Sequence, residues 1–321
     1  MGGQHWRVGL IGFGHWGTLV FDKLRQHERV TVAAIANRTR ARLDATALAG
    51  VRLTDDASSV IRDPAINPIF ITTALPAHKT LLLACIDAGK HAFVTKPLVR
   101  DYDAARELQV RAEEADVTVF VDHTYLYTAE FSAVQAQLAS LPRPMALDST
   151  RTQFGRFQDG SNVFWELLYH DVYLALEFAG GGTPAAVSAG SAAASPGAEA
   201  QIASVRLSFT NGFTAFCHAS MCSTGRQRRV VLSGSDYVLD WDDSNESGKV
   251  KLYPSARQGQ QAPVAVDYQA SDAVISEISD FLDCLEARGT PRCGLPEAVE
   301  VTRILAAAER SATKGGAEIG L

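Results

Sequence analysis

The feature that most constrains this chain is a glycine pattern that stands between a strand and a helix. The residues Gly12-Phe13-Gly14-His15-Trp16-Gly17 follow the apolar run Val8–Ile11 and precede the helix-like segment Thr18–Gln26. The first glycine permits a tight turn, the second lets a ligand approach the backbone, and the third allows close helix packing. A helix N-terminus at this place attracts phosphate. The position of the pattern predicts a Rossmann domain with a dinucleotide site, the alternative being an ordinary glycine-rich turn.

The first part of the chain, as far as Asp122, repeats one pattern of strand-like and helix-like segments. Short β-branched runs alternate with helix-like segments, which is typical of parallel βαβ units. The predicted strands are Val8–Ile11, Val30–Ala36, Ile69–Thr72, Ala92–Val94 and Thr118–Val121. The predicted helices are Thr18–Gln26, Arg40–Ala49, His78–Ala88 and Asp101–Ala115. We therefore predict an α/β domain over residues 1–123, a doubly wound parallel sheet that binds the dinucleotide.

The rhythm changes after His123, and residues 124–321 are predicted to form an α+β domain with an open-faced antiparallel sheet. Asn211-Gly212 separates two strand-like runs and fits a hairpin turn. The other predicted elements are helices near Phe131–Ala139, Val163–Phe178, Asp272–Ala287 and Pro296–Thr313, strands at Ala146–Thr152, Val205–Thr210, Phe213–His218, Val230–Ser233, Tyr237–Trp241 and Val250–Tyr253, and a loop over Ala189–Ala200. The closing helices are expected to cover one side of the sheet or to return to the first domain.

Alternating apolar residues predict how copies of the chain associate. They are Val205, Leu207, Phe209, Phe213 and Phe216. A sheet face that no helix covers would expose them. We therefore expect a homodimer or homotetramer formed through that face, unless the closing helices cover it.

Composition excludes several classes of partner. The formal net charge of −6 gives no general attraction to nucleic acid. No run approaches the ~20 apolar residues that cross a bilayer, so no membrane contact and a cytoplasmic location are expected. The five cysteines form no C-x-x-C pair, so no metal site is predicted.

The residues after the second predicted strand bear on the choice of dinucleotide. A carboxylate usually binds the ribose 2′-hydroxyl about twenty residues after the glycine pattern. Here the sequence reads Asn37-Arg38-Thr39-Arg40. Because Arg38 can pair with a 2′-phosphate, NADP is favoured over NAD. The alternative is that Arg38 and Arg40 only begin a solvated helix.

Two clusters suggest catalysis. Lys96 and Pro97 follow the predicted strand Ala92–Val94, at the sheet edge where α/β proteins bind ligands. Lys96 could donate a hydrogen bond to a substrate oxygen that gains negative charge. The alternative is a surface lysine without a catalytic role, because most lysines in turns are exposed. Glu166 and His170 stand four apart on a predicted helix and share a face, which suits proton transfer or a simple helix ion pair.

These motifs together resemble the glucose–fructose oxidoreductase, inositol dehydrogenase and MocA family over nearly the whole chain. The resemblance is carried by the GFGHWG loop, by Thr95-Lys96-Pro97 in place of the family's E-K-P, and by Glu166 with His170. The strings Val121-Asp122-His123-Thr124-Tyr125-Leu126-Tyr127 and Trp165-Glu166 to His170-Asp171 resemble the branch that acts on nucleotide sugars and their relatives.

The resemblance implies an NAD(P)-dependent oxidoreductase that transfers hydride between nicotinamide and a carbinol or carbonyl carbon of a sugar, nucleotide sugar or cyclitol. It implies that Lys96 contacts cofactor and substrate, that His170 donates or accepts the proton, and that Glu166 and Asp171 orient His170. The full cofactor set is Gly12, Phe13, Gly14, His15, Trp16, Gly17, Asn37, Arg38, Thr73, Lys96 and Pro97. The full substrate set is Lys96, His123, Tyr125, Trp165, Glu166, His170 and Asp171.

One departure from the family leaves other functions open. Thr95 replaces the family's glutamate, which would alter how Lys96 is held and charged. A dinucleotide-binding regulatory protein without catalysis is therefore an alternative. A glycosidase that uses a retained NAD for transient oxidation is a third.

Overall fold

The computed structural model describes residues 4–39, 43, 48–154, 161–193, 195, 197–254 and 262–321. The chain divides into two compact units. The first contains Met1–Thr124 and Asp272–Thr302, and the second contains Tyr125–Ser271 and Arg303–Leu321. The domain boundary predicted after His123 stays a prediction.

The first unit is built on a parallel sheet. Its strands are β1 Trp6–Ile11, β2 Val30–Ala36, β3 Arg52–Thr54, β4 Ile69–Ile71, β5 Ala92–Val94 and β6 Val119–Val121. Its first helices are α1 His15–Gln26, α2 Ala57–Ile61, α3 His78–Asp87 and α4 Tyr102–Glu114. The strand order is β3-β2-β1-β4-β5-β6, and all pairs are parallel. The predicted doubly wound Rossmann sheet is confirmed.

The second unit is built on a larger sheet. Its first helices are α5 Ala129–Leu138 and α6 Tyr169–Phe178, the latter preceded by a π-helical turn over Phe164–Leu168. Its strands are β7 Ala146–Phe154, β8 Pro184–Ala192, β9 Ile202–Phe209, β10 Thr214–Ser220, β11 Cys222–Ser233, β12 Tyr237–Asp242, β13 Val250–Pro254 and β14 Val264–Ala265. The chain ends with α7 Ala273–Ala287, α8 Leu295–Thr313 and β15 Ile319–Gly320.

The strand order of this larger sheet is β14-β13-β12-β11-β7-β10-β9-β8-β15 in the described part of the chain. All neighbours are antiparallel except β7 and β10, which run parallel. The hairpin at Asn211-Gly212 is confirmed, since Gly212 has φ +84° and the Phe209 N–H donates to the Phe213 carbonyl. The predicted open-faced sheet is therefore mostly antiparallel.

An aromatic layer joins α7 to the parallel sheet. The middle residues of three neighbouring strands, Phe70, Phe93 and Phe120, are in register and lie on one face. Phe281 of α7 contacts all three rings, with centroid separations of 5.8, 5.9 and 5.4 Å. The flanking strand residues alternate to the opposite face and pack with α3 and α4. Helix α7 thus belongs to the first unit's core.

The prediction of an uncovered apolar face is wrong. Val205, Leu207, Phe209 and Phe213 are all buried, and of the five residues only Phe216 is exposed, at 47%. Alternation along a strand places these side chains on the covered side of the sheet. A homo-oligomer stays a prediction, without the support of that pattern.

One local prediction needs correction, and another lies mostly outside the described residues. The predicted loop Ala189–Ala200 is strand as far as Ala192, because β8 pairs with β9 along its length. Most of the predicted helix Arg40–Ala49 lies outside the described residues.

Candidate functional site

The glycine loop is held at both ends and open in its middle. Gly12 has φ +99°, and a Cβ there would lie 2.8 Å from the carbonyl oxygen of Thr72. A Cβ on Gly17 would lie 2.5 Å from the carbonyl oxygen of Gly12, which also accepts a 2.8 Å hydrogen bond from the Thr72 hydroxyl. At Gly14, in contrast, no described atom lies within 4 Å of the Cβ position. This cradle fits a dinucleotide pyrophosphate.

The side chains of the loop differ in what they contact. The Phe13 ring packs edge-on against Phe21 with centroids 5.5 Å apart, so it supports the loop from inside. His15 begins α1 and is exposed. The indole N–H of Trp16 is buried and has no hydrogen-bond acceptor within the described residues.

An amide lies where a carboxylate often binds the ribose. Asn37 directly follows β2, and its Oδ1 accepts a 3.2 Å hydrogen bond from the Phe13 N–H. Its Nδ2 donates to the Thr39 carbonyl over 3.0 Å. Arg38 is exposed beside it. Arg40 lies outside the described residues.

His78 links the two loops that carry Thr73 and Lys96, and the sequence did not single it out. Its Nε2 lies 3.0 Å from the Thr73 carbonyl oxygen and its Nδ1 lies 2.9 Å from the Pro97 carbonyl oxygen. Burial lowers the pKa of His78. Because a neutral imidazole has one N–H, it donates to one of the two carbonyls at a time. His78 therefore positions both loops at the edge of the parallel sheet.

Thr95 is hydrogen-bonded to the backbone of the neighbouring strand β4. Its N–H donates to the Ile71 carbonyl over 3.0 Å, and its hydroxyl lies 3.5 Å from the same oxygen. Lys96 follows immediately and is half-buried. The lysine thus stands beyond the carboxyl end of β5, as predicted, with no carboxylate at the preceding position.

His123 lies inside the first unit. Its side chain is 1% exposed, and its backbone N–H donates to Oε1 of Glu277 over 2.8 Å. Burial lowers the pKa of His123 to about 3. Its predicted substrate contact stays a prediction, and such a contact would need the imidazole to become accessible.

Replacing His123 with glutamine should make the free energy of unfolding less sensitive to acid. Below pH 6.5 the unfolded imidazole takes up a proton that the buried one refuses, so the native state loses stability as pH falls. Between pH 7.5 and 5, wild type should lose about 2 kcal/mol relative to the variant. Urea unfolding at several pH values measures this difference. Parallel stability curves over that range would contradict the assigned protonation state.

The helix that carries His170 begins with the π-helical turn. Glu166 and His170 are partly exposed, whereas Trp165 is fully buried. The Nδ1 of His170 lies 2.9 Å from the hydroxyl oxygen of Tyr173. Tyr173 stands three residues further on the same helix, a spacing that could have identified it. The orienting role predicted for Glu166 stays a prediction.

Asp171 forms a buried ion pair. Arg151 of β7 donates to it through Nε and Nη2 over 3.1–3.3 Å, and both side chains are at most 3% exposed. Arg151 also donates to the Tyr125 hydroxyl over 2.8 Å, and Arg228 of β11 donates to the same oxygen over 2.6 Å. Two guanidinium groups thus fix Tyr125, and neither arginine was predicted from the sequence.

The predicted catalytic pair falls in different units. Lys96 belongs to the first and His170 to the second. Their convergence on one substrate atom stays a prediction. The first unit carries the glycine cradle and Lys96, and the second carries His170 beside Tyr173.

Comparison with known proteins identifies the family. The NAD-binding Rossmann model of the GFO/IDH/MocA oxidoreductase family matches residues 6–123, and the C-terminal domain model of that family matches residues 125–239. This chain belongs to the GFO/IDH/MocA oxidoreductase family. The resemblance drawn from the motifs is confirmed, and the first unit is an NAD-binding Rossmann domain.

Several GFO/IDH/MocA relatives act on sugars or cyclitols. UDP-N-acetylglucosamine 3-dehydrogenase of Acidithiobacillus ferrooxidans is 25% identical over 95% of each chain. Myo-inositol 2-dehydrogenase of Thermotoga maritima is 23% identical, but the match covers 53% of each chain. Among solved structures, an Agrobacterium radiobacter oxidoreductase in complex with NAD+, L-tartaric acid and magnesium has a TM-score of 0.82, with 18% identity over 99% of this chain and 98% of that one. That likeness shows the fold.

Two negative findings apply to the part of the chain that the structure describes. No helix there has the length and apolar character needed to cross a membrane. No three or more histidine, cysteine, aspartate or glutamate side chains there are grouped so as to hold a metal ion.

Proposed function

We propose that this chain is an NAD(P)-dependent oxidoreductase that oxidises or reduces a carbinol or carbonyl carbon of a sugar, nucleotide sugar or cyclitol. The observation that carries the proposal is Lys96 beyond β5, in the same unit as the open glycine cradle. A nicotinamide bound there supplies the hydride chemistry. Family membership and the sugar dehydrogenases among the relatives support it.

The chain's own residues have distinct tasks in this proposal. The loop Gly12–Gly17 binds the pyrophosphate through backbone N–H groups, while Asn37 and Arg38 contact the adenosine ribose. Lys96 donates a hydrogen bond to the reacting oxygen and stabilises its developing charge. His170, held by Tyr173, takes or returns the hydroxyl proton.

The test is a panel of sugars, nucleotide sugars and inositols, each assayed with NAD+ and NADP+ and in the reverse direction with reduced cofactor. Formation or loss of the 340 nm absorbance measures turnover. Turnover of at least one compound supports the proposal. Tight dinucleotide binding with no turnover across the panel would contradict it.

We also propose that NADP is preferred, because Arg38 is exposed at the end of β2 beside an amide rather than a carboxylate. Replacing Arg38 with alanine should weaken NADP+ binding about tenfold, since a charge-assisted contact to phosphate is lost. The dissociation constant for NAD+ should change little. Calorimetry measures both constants, with Arg62→Ala, an exposed arginine elsewhere, as control. An equal loss of affinity for NADP+ and NAD+ would contradict a contact between Arg38 and the 2′-phosphate.

A second candidate is a regulatory protein that binds the dinucleotide without catalysis. The residue before Lys96 favours this candidate, because it is Thr95 rather than a carboxylate. The N–H and hydroxyl of Thr95 are directed at the Ile71 carbonyl oxygen. This candidate predicts cofactor binding, no turnover in the panel, and a protein that co-purifies with the chain.

A further inference from the structure

A pair of acids lies buried next to Lys96 in the first unit. Asp122 directly follows β6, and its backbone N–H donates to the carbonyl of Val94, the last residue of β5. Lys96 stands two residues after that strand. The side chain of Asp122 is 4% exposed, and the positive charge of Lys96 acts on it. The two residues therefore follow the carboxyl ends of neighbouring strands, close enough for the charge of Lys96 to act on Asp122.

Asp122 is held from one side by Thr124. The Thr124 N–H donates to Oδ1 of Asp122 over 3.1 Å, and the Thr124 hydroxyl donates to the same oxygen. Burial raises the pKa of Asp122, while Thr124, Glu277 and Lys96 oppose that rise. The threonine contacts orient the carboxylate and stabilise its charged form.

Glu277 of α7 holds Asp122 from the other side. Its side chain is fully buried, and Oε1 accepts the 2.8 Å hydrogen bond from the His123 N–H. Its Oε2 is buried and has no hydrogen-bond partner in the described part of the chain. The carboxyl group of Glu277 as a whole is a hydrogen-bond neighbour of Asp122. Two carboxyl groups can share a hydrogen bond only if one carries a proton.

The proton belongs on Glu277. Burial, and after it the charge of Asp122, raise the pKa of Glu277 well above its usual range, with Asp280 adding to the rise. The pair thus carries one proton and one negative charge, and the charge lies on the member beside Lys96. Among the described residues, the charge of Lys96 acts on Asp122 and that of Asp280 acts on Glu277. The buried imidazole of the adjoining His123 is neutral.

We propose that Asp122 is the counter-ion of Lys96, supplying the carboxylate that Thr95 does not, and that Glu277 positions Asp122 by donating its carboxyl proton to it. Asp122 and Glu277 are positioning residues, because they act through the lysine. The catalytic consequence of this arrangement rests on the proposed function, whereas the charge arrangement itself can be tested without any substrate.

The direct test is the titration of Lys96 in the full chain without added dinucleotide. Lysines are reductively methylated with 13C and followed by NMR against pH, and the Lys96 signal is assigned by its loss in Lys96→Arg. Asp122→Asn should lower the measured pKa of Lys96 by about one unit or more. Asp280→Asn, which removes a charge from α7, is the matched control and should lower it much less. Equal shifts in the two variants would overturn the proposal.

Glu277→Gln tests where the proton lies, since glutamine can still donate to Asp122 and accept from the His123 N–H. The Lys96 titration should stay near that of wild type. A fall as large as in Asp122→Asn would place the charge on Glu277 and overturn the assignment.

Stability supplies a second readout that does not need the Asp122 variant to fold. A raised pKa in the native state stabilises below the unfolded pKa of Glu277, and that stability is lost as pH rises. Glu277→Gln should therefore gain stability over wild type as pH rises from 4.5 to 8. A difference that stays constant with pH would overturn the shared proton.

Turnover separates this inference from the proposed function. If a sugar is oxidised, Asp122→Asn should shift the acid–base profile of kcat/KM along with the Lys96 titration. A chain that titrates as expected but turns over no sugar would contradict the proposed function and leave the counter-ion in place. Turnover whose pH profile ignores Asp122 would overturn the inference alone.

Discussion

Replacing Lys96 with methionine should lower turnover of the substrate about 10³-fold, which is the range for loss of a preorganised donor to a developing oxyanion. Methionine keeps much of the length and apolar stem of lysine but has no N–H. The glycine cradle lies on the loop after β1 and does not include this side chain, so the dissociation constant for the dinucleotide should change by no more than about threefold. Initial rates and fluorescence titration of the cofactor measure the two quantities.

Lys79→Met is the matched control for that experiment. The Lys79 side chain is 43% exposed and pairs with Glu107 over 2.7 Å. Its replacement should leave both turnover and cofactor binding near wild type. If Lys96→Met kept full turnover, the role given to the ammonium group would be wrong.

Replacing Asp171 with asparagine should destabilise the protein by about 3–5 kcal/mol, the usual cost of removing one partner from a buried ion pair. Arg151 would keep its charge at 3% exposure and would lie against a second guanidinium, that of Arg228, at the Tyr125 hydroxyl. Chemical denaturation of Asp171→Asn and of wild type measures the loss.

An exposed pair provides the comparison. Asp87 pairs with Arg111 at the surface, where the two side chains are 59% and 44% exposed. Asp87→Asn should therefore cost about 0–1 kcal/mol. A similar small loss for Asp171→Asn would show that the buried arginine is neutralised or hydrated in another way.

The parallel half could be predicted well from the sequence because its signals are local. The glycine pattern, the β-branched runs and the helix caps each lie within a few residues, and β2 and β5 have the predicted bounds. The short elements β3 and α2 were missed, since three and five residues carry little periodicity. The sequence pattern also identified two sheet faces in the second half, but it could not tell which one the helices cover.

Site residues could likewise be predicted where the signal is local and were missed where it depends on distant contacts. Gly12, Lys96 and His170 were found because each stands in a recognisable local pattern. His78, Arg151 and Arg228 were missed because their partners lie 5–103 residues away along the chain. Asp122 and Glu277 are 155 positions apart, so only folding reveals that they share a proton. Contacts of this kind follow from topology rather than from spacing.

The contact of Phe281 with three phenylalanines of the parallel sheet affects how the chain folds during synthesis. The ribosome synthesises the six parallel strands well before α7. Until α7 is made, Phe70, Phe93 and Phe120 of the nascent chain lack the Phe281 ring that packs on them. This hydrophobic core closes only after Ala273–Ala287 has been synthesised. A recombinant fragment that stops at Thr124 would keep the glycine motif but lack α7, so it would expose this apolar surface. We expect that fragment to aggregate rather than to serve as an isolated binding domain.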